Sequence, residues 1–297
     1  MVAYGESPAV ARRRVRLALR KAREATGMSQ GAVAKRVGWS LSKVQRIESG
    51  DVTVSGTDLL ALLNLYGVTD AEEIEQLTEE SRISRRQRWW TVPEYRQNLT
   101  PASAQLIQFE AEATAVRIYH PVVVPGLMQT PAYAKAVLDF HEGALTEQVR
   151  TVRLEARMRR RRQFLETEDG PHLLVILDEA ALMREIGGLQ VMAEQLTELA
   201  EVAQRPDVNI RIVPLDEGAL LGMMGPFTVL DLGDDDPGDA VLYRESWVRD
   251  GIEHSLDEVG YHRRIFENLW QRSLDEAATI RAILAAAASL RSRADRM

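Results

Sequence analysis

The chain contains no cysteine. It can therefore form no disulfide, and it offers neither a thiolate nucleophile nor cysteine ligands for zinc or an iron–sulfur cluster. Long apolar runs are also missing, since none approaches the roughly 20 residues that cross a bilayer. The N-terminus, MVAYGESPAVARRRV, is polar and then basic, without the basic-then-apolar order of a secretion signal. We therefore expect a cytoplasmic protein with no membrane partner.

The usual catalytic motifs are absent as well. The histidines do not show the His-Glu-x-x-His spacing of zinc hydrolases, and the glycines of GALLGMMGPF lack the Gly-Lys-Ser/Thr of a phosphate-binding loop. No Gly-x-Ser-x-Gly nucleophile elbow occurs. We therefore predict that the chain is not an enzyme and uses no cofactor and no metal. The histidines are His120, His141, His172, His254 and His262.

Carboxylates near the ends of predicted strands leave one enzymatic alternative open. A metal-dependent nuclease needs three or four carboxylates that converge on a divalent ion. The stretch GDDDPGD has instead the composition of a turn, whose acidic side chains bond to the local backbone. We favour the turn and keep the nuclease as the alternative. The carboxylates concerned are Asp178, Glu179, Asp231, Asp234, Asp235, Asp236 and Glu245.

Charge is distributed unevenly along the 297 residues. Residues 1–50 hold eleven Lys/Arg and three Asp/Glu, a balance of +8, whereas the remainder holds 26 and 41, a balance of −15. We therefore expect a basic head that binds a polyanion and an acidic body that stays clear of it. The run RRRVRLALRKAR in the head is compatible either with phosphate contacts or with a solvated helix face. Its first arginines are Arg12, Arg13, Arg14 and Arg16.

Hydrophobic spacing and capping residues predict five short helices over the first 80 residues. The first helix is expected over 11–26, with Gly27 just past its end. Side-chain caps mark the starts of the other four. These predicted N-caps are Ser29, Ser40, Ser55 (followed by Asp58) and Thr69, the last in a capping box with Glu72.

The remaining chain predicts a second domain of a different class. Over 101–297, helical segments alternate with strand-like runs, which indicates an α/β domain with about four strands and flanking helices. The strands are expected in HLLVILD, VNIRIVPL, PFTVLDL and AVLYRES. We predict helix over 101–120, and capping boxes of the sequence Ser-Leu-Asp-Glu at Ser255 and Ser273 open the last two helices.

The chain is therefore predicted to be multidomain. An all-α bundle covers 1–80, a linker or boundary segment covers 81–100, and the α/β domain follows. The linker contains the pair Trp89 and Trp90. We interpret this pair as apolar packing rather than a ligand cage, because aromatic side chains mostly serve as buried bulk.

The stretch GMSQGAVAKRVGWSLSKVQRIESG, residues 27–50, joins two short helices through a tight turn, which is the helix-turn-helix pattern. With the preceding LRKAREAT it resembles the XRE family of phage-type repressors over roughly residues 15–70. The resemblance implies a phage-repressor-like bundle whose third helix enters the major groove of double-stranded operator DNA. Because one such helix reads only a few base pairs, we expect a homodimer on two half-sites.

The resemblance implies a role for individual residues. Arg46 can form a bidentate contact to guanine. Leu41 stands where the family often has a polar residue and can only touch a thymine methyl, so the operator sequence stays open. Arg23 and Glu48 match an internal ion pair between the first and third helices. The residues implied to face DNA are Ser29 and Gln30 at a phosphate, then Ser40, Leu41, Ser42, Lys43 and Arg46.

The second domain carries a resemblance of its own. The segments FEAEATAVRIYHPVVVPGLMQTPAYAKAVL, LDEAAL, GGLQVMAEQLTELAEVAQRPDVNIRIVPL and GPFTVLDL are similar to the C-terminal domain of the actinomycete WhiJ-like regulators, over roughly 100–285. The resemblance implies a transcriptional regulator, antitoxin-like in some members, with a small BldB-like protein as partner. We therefore predict a dimeric repressor whose C-terminal domain binds such a partner or a small-molecule ligand.

Overall fold

The structure, a computed structural model, describes residues 8–50, 52–85, 89–140, 144–166, 170–217, 225–232, 239–246 and 250–296. The chain divides into two compact units, of which the first ends at Trp89 and the second begins at Trp90. Each unit has a hydrophobic core of its own. Across the described ranges, no helix combines the length and the apolar character needed to cross a membrane.

The N-terminal unit is helical. Three predicted N-caps are confirmed, because Ser29, Ser40 and Ser55 each accept a hydrogen bond from the backbone N–H three residues on. The predicted cap at Thr69 is wrong: Asp70 accepts from Glu73 N at 2.9 Å and begins the fifth helix one residue later. A charged carboxylate is a stronger acceptor than a hydroxyl. The helices are α1 (Pro8–Ala25), α2 (Gln30–Val37), α3 (Leu41–Glu48), α4 (Gly56–Tyr66) and α5 (Ala71–Ser84).

One apolar face of each helix builds the core of the N-terminal unit. Within α2 and α3 the core residues recur at helical spacing, so the opposite faces of these helices are left to solvent. The buried cluster comprises Val15, Leu19, Val33, Ala34, Val44, Ile47, Val54, Leu59, Leu62, Leu63, Tyr66 and Leu77.

The C-terminal unit contains a mixed sheet. Its strands are β1 (Ala115–His120), β2 (His172–Asp178), β3 (Val208–Val213), β4 (Phe227–Asp231), β5 (Ala240–Arg244) and β6 (Gly251–Glu253). Its helices are α6 (Pro93–Asn98), α7 (Pro101–Glu110), α8 (Pro131–Asp139), α9 (Glu147–Leu165), α10 (Ala180–Met183), α11 (Leu189–Val202), α12 (Leu256–Arg272) and α13 (Glu276–Ala294). The predicted α/β class is confirmed.

The strand order is β3-β2-β1-β4-β5-β6. Strands β1, β2 and β3 run parallel to one another, whereas β4 pairs antiparallel with both β1 and β5, and β5 pairs antiparallel with β6. Strand β1 therefore lies where the parallel half meets the antiparallel half. In α/β sheets the strand ends around such a junction are common places for ligands, because the chain leaves adjacent strands in different directions.

The prediction of helix throughout 101–120 is wrong. Helix α7 ends at Glu110, and Ala115–His120 forms the central strand β1 instead. The strand contains Val116, Ile118 and Tyr119, which are β-formers, and it gains hydrogen-bonded neighbours on both sides. Pairing within the tertiary sheet thus overrides the apolar spacing that suggested helix. The short strand β6 was also not predicted.

Helices cover both faces of the sheet. On one face Val116, Val175 and Ile210 join the larger cluster with residues of α8, α11 and α13. On the other face Tyr119 and Ile176 pack with Phe266 and other residues of α12. Burial on both sides explains why the parallel strands read as nearly continuous apolar runs.

The outer edge of β3 is closed by the segment between α12 and α13 and by the first turn of α13. Leu274 N donates to Ile212 O at 2.8 Å, and Ile212 N donates to the buried hydroxyl of Thr279 at 3.2 Å. These bonds occupy backbone groups that would otherwise invite another strand. The predicted cap at Ser273 is wrong for the same reason: the chain stays extended past Ser273 to reach β3, and Asp275 caps α13 by accepting from Ala278 N.

Candidate nucleic-acid interface

The turn between α2 and α3 sets the angle at which α3 is presented. Gly38 adopts a left-handed conformation with φ of 70°, and its N–H donates to Ala34 O. Only glycine takes this conformation without strain, so the chain can reverse within three residues. Val44 and Ile47 anchor the inner face of α3 in the core. The helix is therefore held as a rigid element with its other face outward.

The outward face of α3 carries three of the residues implied to read bases. Leu41 is 45% exposed, and Ser42 and Arg46 are also exposed. Within the described part of the chain, the Arg46 guanidinium has no hydrogen bond or ion pair. The structure adds Gln45, which is exposed one turn after Leu41 and Ser42 and which sequence reasoning missed. Its i+3 and i+4 spacing from those residues was the available signal.

Lys43 is held differently from its neighbours on α3. Its Nζ is 2.9 Å from Asp58 Oδ2 and lies 3.7 Å from the centroid of the Trp39 ring. The ion pair and the cation–π contact direct the ammonium toward α4. Lys43 can reach a phosphate only by leaving Asp58, a half-exposed pair of small stability.

A buried carboxylate ties α3 to α1 and α2. Glu48 Oε1 accepts from Arg23 Nε at 2.7 Å, and Glu48 Oε2 accepts from Arg23 Nη2 at 3.1 Å and from Gln30 Nε2 at 2.8 Å. Arg23 Nη1 also donates to Met28 O. The hydrogen bond with Glu48 raises the pKa of Arg23. The structure thus contains the ion pair that the sequence predicts, and it adds the Gln30 side chain to that network.

The first turn of α2 presents backbone donors. Ser29 Oγ accepts from Ala32 N, and Val33 N donates to Ser29 O. Among the described residues the N–H groups of Gln30 and Gly31 have no partner. Such free amides at a helix start suit an anion such as a DNA phosphate. Ser40 plays the same capping role for α3, accepting from Lys43 N at 3.2 Å.

Two arginines of the basic run in α1 are turned inward. Arg12 and Arg16 are buried, with 9% and 4% of their surface exposed, and Arg12 Nη1 donates to Gly50 O at 3.3 Å. Arg14 Nη1 lies 3.4 Å from Glu80 Oε1 on α5. Arg12 and Arg16 therefore support the bundle and do not form a solvated face. Arg13 is partly exposed and Arg14 is exposed, so phosphate contact by these two residues stays a prediction.

Three of the carboxylates considered for a nuclease have separate local partners. Asp178 accepts from Ala180 N, and Glu179 accepts from Leu215 N. Asp231 is buried between Arg117 and Arg263. No group of three or more His, Asp or Glu side chains suited to a metal occurs among the described residues. Asp234, Asp235, Asp236 and His141 lie outside the described residues.

The paired helices, the exposed face of α3 and the free amides of α2 define a helix-turn-helix DNA-binding unit. Comparison with known families agrees, since residues 15–77 match the model of a helix-turn-helix domain. Residues 103–285 match the domain of unknown function DUF5753. This second match covers more than half of the chain, and the chain belongs to that family. Searches of curated proteins and of solved structures found no match.

Proposed function

We propose that this DNA-binding regulator is a sequence-specific repressor of the XRE type, akin to the WhiJ-like group, that acts on cytoplasmic DNA. The carrying observation is the outward face of α3, where Leu41, Ser42 and Arg46 are exposed on a helix held by the Glu48 network. Arg46 would pair with guanine and Leu41 would touch a thymine methyl. The amide of Gln45 would form a bidentate contact to adenine.

The proposed DNA contacts divide into two groups. The backbone amides at Gln30 and Gly31, together with Ser29 and Ser40, would position the unit on phosphates without reading sequence. The α3 side chains would supply the discrimination between bases. Lys43 belongs to the positioning group, because a point charge held by Asp58 can swing to a phosphate but cannot make a bidentate base contact.

We propose that the functional form is a homodimer on two half-sites about one helical turn apart. The C-terminal unit would receive the regulatory signal, either a small BldB-like protein or a small-molecule ligand. We also propose that the chain works without catalysis, because Asp178, Glu179 and Asp231 each serve a local partner rather than a shared ion. Incubation of nucleic acid with the protein and Mg²⁺ or Mn²⁺ should leave the nucleic acid intact.

Fluorescence anisotropy tests the proposal directly. The full chain should bind a duplex from its own promoter region, or one selected from random DNA, at least about a thousandfold more tightly than unrelated duplex. Binding should weaken steeply with salt. The proposal would be contradicted if the protein bound specifically neither to its promoter region nor to a selected duplex, or if the binding did not depend on salt. The stoichiometry of protein to operator in the same titration tests the dimer.

A further inference from the structure

A cavity opens in the C-terminal unit where the end of β1 meets the start of β4 and the end of β5. Its volume is about 50 Å³. Since one water needs roughly 10–15 Å³ on the same measure, the space holds about four waters or a ligand with only a few heavy atoms. Besides two tyrosines, the polar side chains that line it are Glu110, His120, Arg160, Thr228 and Glu245.

The positive charge at this cavity exceeds what the bonded carboxylate neutralises. Glu110 accepts from Arg160 Nε and Nη2 at 2.8 and 2.5 Å, which leaves Nη1 of Arg160 unbonded within the described residues. Arg157 stands one turn earlier on α9. Its Nε is 3.5 Å from the point where a Cβ on Gly126, a lining residue, would stand, and its Nη1 donates to the neutral amide of Gln129.

Arg157 is thus a partly buried cation, and the Gln129 amide to which it donates carries no charge. Burial lowers its pKa to about 10, and the strongest opposing influence is the negative charge of Glu245. Arginine stays protonated at neutral pH, so the site bears this electrostatic cost in the free protein. An anionic group inside the cavity would reduce that cost.

Glu245 supplies the opposite charge. Its carboxylate is exposed and has no hydrogen bond or ion pair within the described part of the chain. Its influence on Arg157 acts across space, without a direct contact. Among the described residues, the cavity is therefore lined by the unbonded Nη1 of Arg160 and by the unbonded carboxylate of Glu245, and Arg157 lies next to it against Gly126.

Two neutral polar groups, His120 and Thr228, also line the cavity. His120 is 92% buried, and its Nδ1 accepts from the backbone N–H groups of Val122 and Val123 at 3.3 and 3.1 Å. Burial lowers its pKa to about 4, so the ring is neutral and its proton stands on Nε2. The hydroxyl of Thr228 also has no bond among the described residues. Both groups can donate to an oxygen of a ligand.

We propose that this cavity binds a small zwitterion of the α-amino acid type, with its carboxylate toward Arg160 and Arg157 and its ammonium toward Glu245. A simple anion would place negative charge against Glu245. A simple cation would place positive charge against the arginines. The small volume favours the shortest side chains, those of glycine and alanine. The inference rests on the proposed function, because it names the ligand class through which the C-terminal unit would receive its signal.

Isothermal titration calorimetry on the full chain tests the zwitterion with three probes of similar size. L-alanine carries both charges, propionate lacks the ammonium, and ethylamine lacks the carboxylate. Alanine should bind about tenfold more tightly than either of the others, the usual effect of one charged hydrogen bond. In Glu245→Gln, the affinity for alanine should fall to the level of that for propionate. The affinity for propionate should equal or exceed that of the wild type. Glu201→Gln, at an exposed glutamate of α11, is the matched control and should behave as wild type.

The outcomes are separable. Absence of alanine binding, equal binding of alanine and propionate to the wild type, or an unchanged preference in Glu245→Gln would each overturn the zwitterion site. Operator binding is measured on the same samples without any probe. Alanine binding together with absent operator binding would support the cavity and contradict the regulator, and the reverse result would do the opposite.

Discussion

The N-terminal unit carries Arg46 on the outward face of α3, whereas the C-terminal unit turns Arg160 of α9 against the buried carboxylate of Glu110. The first guanidinium has no partner within the described residues and is open to an external polyanion. The second is neutralised inside the fold and keeps one nitrogen free. The difference shows that a run of basic residues indicates neither DNA contact nor a solvated face until the packing around it is known.

The largest effect is expected from breaking the buried pair of the C-terminal unit. Glu110→Ala leaves Arg160 uncompensated beside Arg157, and it should lower the free energy of unfolding of this unit by about 3–5 kcal/mol. Urea unfolding followed by tryptophan fluorescence measures the loss. Glu198→Ala is the control, because its more exposed pair with Arg161, the residue after Arg160 on α9, should contribute less than about 1 kcal/mol. Equal losses of stability in the two variants would show that the buried pair is worth no more than the more exposed one.

Acid should weaken the C-terminal unit through His120. The folded-state pKa near 4 lies below the ordinary value of about 6.5, so the unfolded chain binds the proton first. The contribution of His120 is therefore complete above pH 6.5 and is lost as the pH falls toward 4, by about 3 kcal/mol at most. Nearby Arg157 adds to the cost of protonation. In His120→Asn, whose amide oxygen can still accept from Val122 and Val123, this part of the pH dependence should vanish from denaturant midpoints.

Removal of the central carboxylate of the N-terminal unit should lower the free energy of unfolding of that unit, by less than Glu110→Ala lowers that of the C-terminal unit. Glu48→Ala strands Arg23 and Gln30 and should cost this unit about 2 kcal/mol. Glu79→Ala, at an exposed pair with Arg82, should cost less than about 1 kcal/mol. Thermal unfolding compares the two. Unchanged stability in Glu48→Ala combined with lost base discrimination would show that Glu48 acts at the DNA instead.

Loss of the exposed arginine should affect binding and not folding. Arg46→Ala should weaken operator binding by about 1–3 kcal/mol and relax preference at one base pair. Its melting temperature should match that of the wild type, because the side chain makes no bond within the described residues. Arg82→Ala, an exposed arginine on α5, is the control for charge and should bind the operator almost normally. Anisotropy with operator variants provides the measurement.

The smallest effect is expected where a cation is shared between the fold and DNA. Asp58→Asn releases Lys43 and should change the free energy of unfolding by less than about 1 kcal/mol. The freed ammonium should slightly raise the affinity for any duplex. The salt dependence of binding should become steeper by the amount expected for about one additional phosphate contact. A large loss of stability would show that Lys43 has a structural role and does not contact DNA.

Much of the N-terminal unit follows from local chemistry in the sequence. The caps at Ser29, Ser40 and Ser55 and the left-handed glycines Gly27 and Gly38 require only a few neighbouring residues, and all of them were predictable. The cap at Asp70 was missed because two adjacent residues both have capping side chains. The carboxylate of Asp70, as the stronger acceptor, takes the cap from the hydroxyl of Thr69.

The C-terminal unit was harder because its decisive contacts are remote in sequence. Strand β1 pairs with β2 and β4, whose residues lie far along the chain, and without those partners its spacing looks helical. Likewise Ser273 has the right sequence for a cap, but Leu274 is held by Ile212 of β3. The lining of the cavity also unites residues from α7, α9 and three strands.

The sequence by itself determined the helix-turn-helix, the division of charge between the two units and the α/β class of the second. These properties depend on periodicity, capping and composition, which act over a few residues. Only the tertiary structure decided that Arg12 and Arg16 are buried, that Gln30 joins Glu48, and that Arg160 meets Glu110 at a cavity. The physical reason is that the burial and pairing of a charge depend on groups that folding brings together. The sign of a side chain's charge carries no information about its distance from those groups.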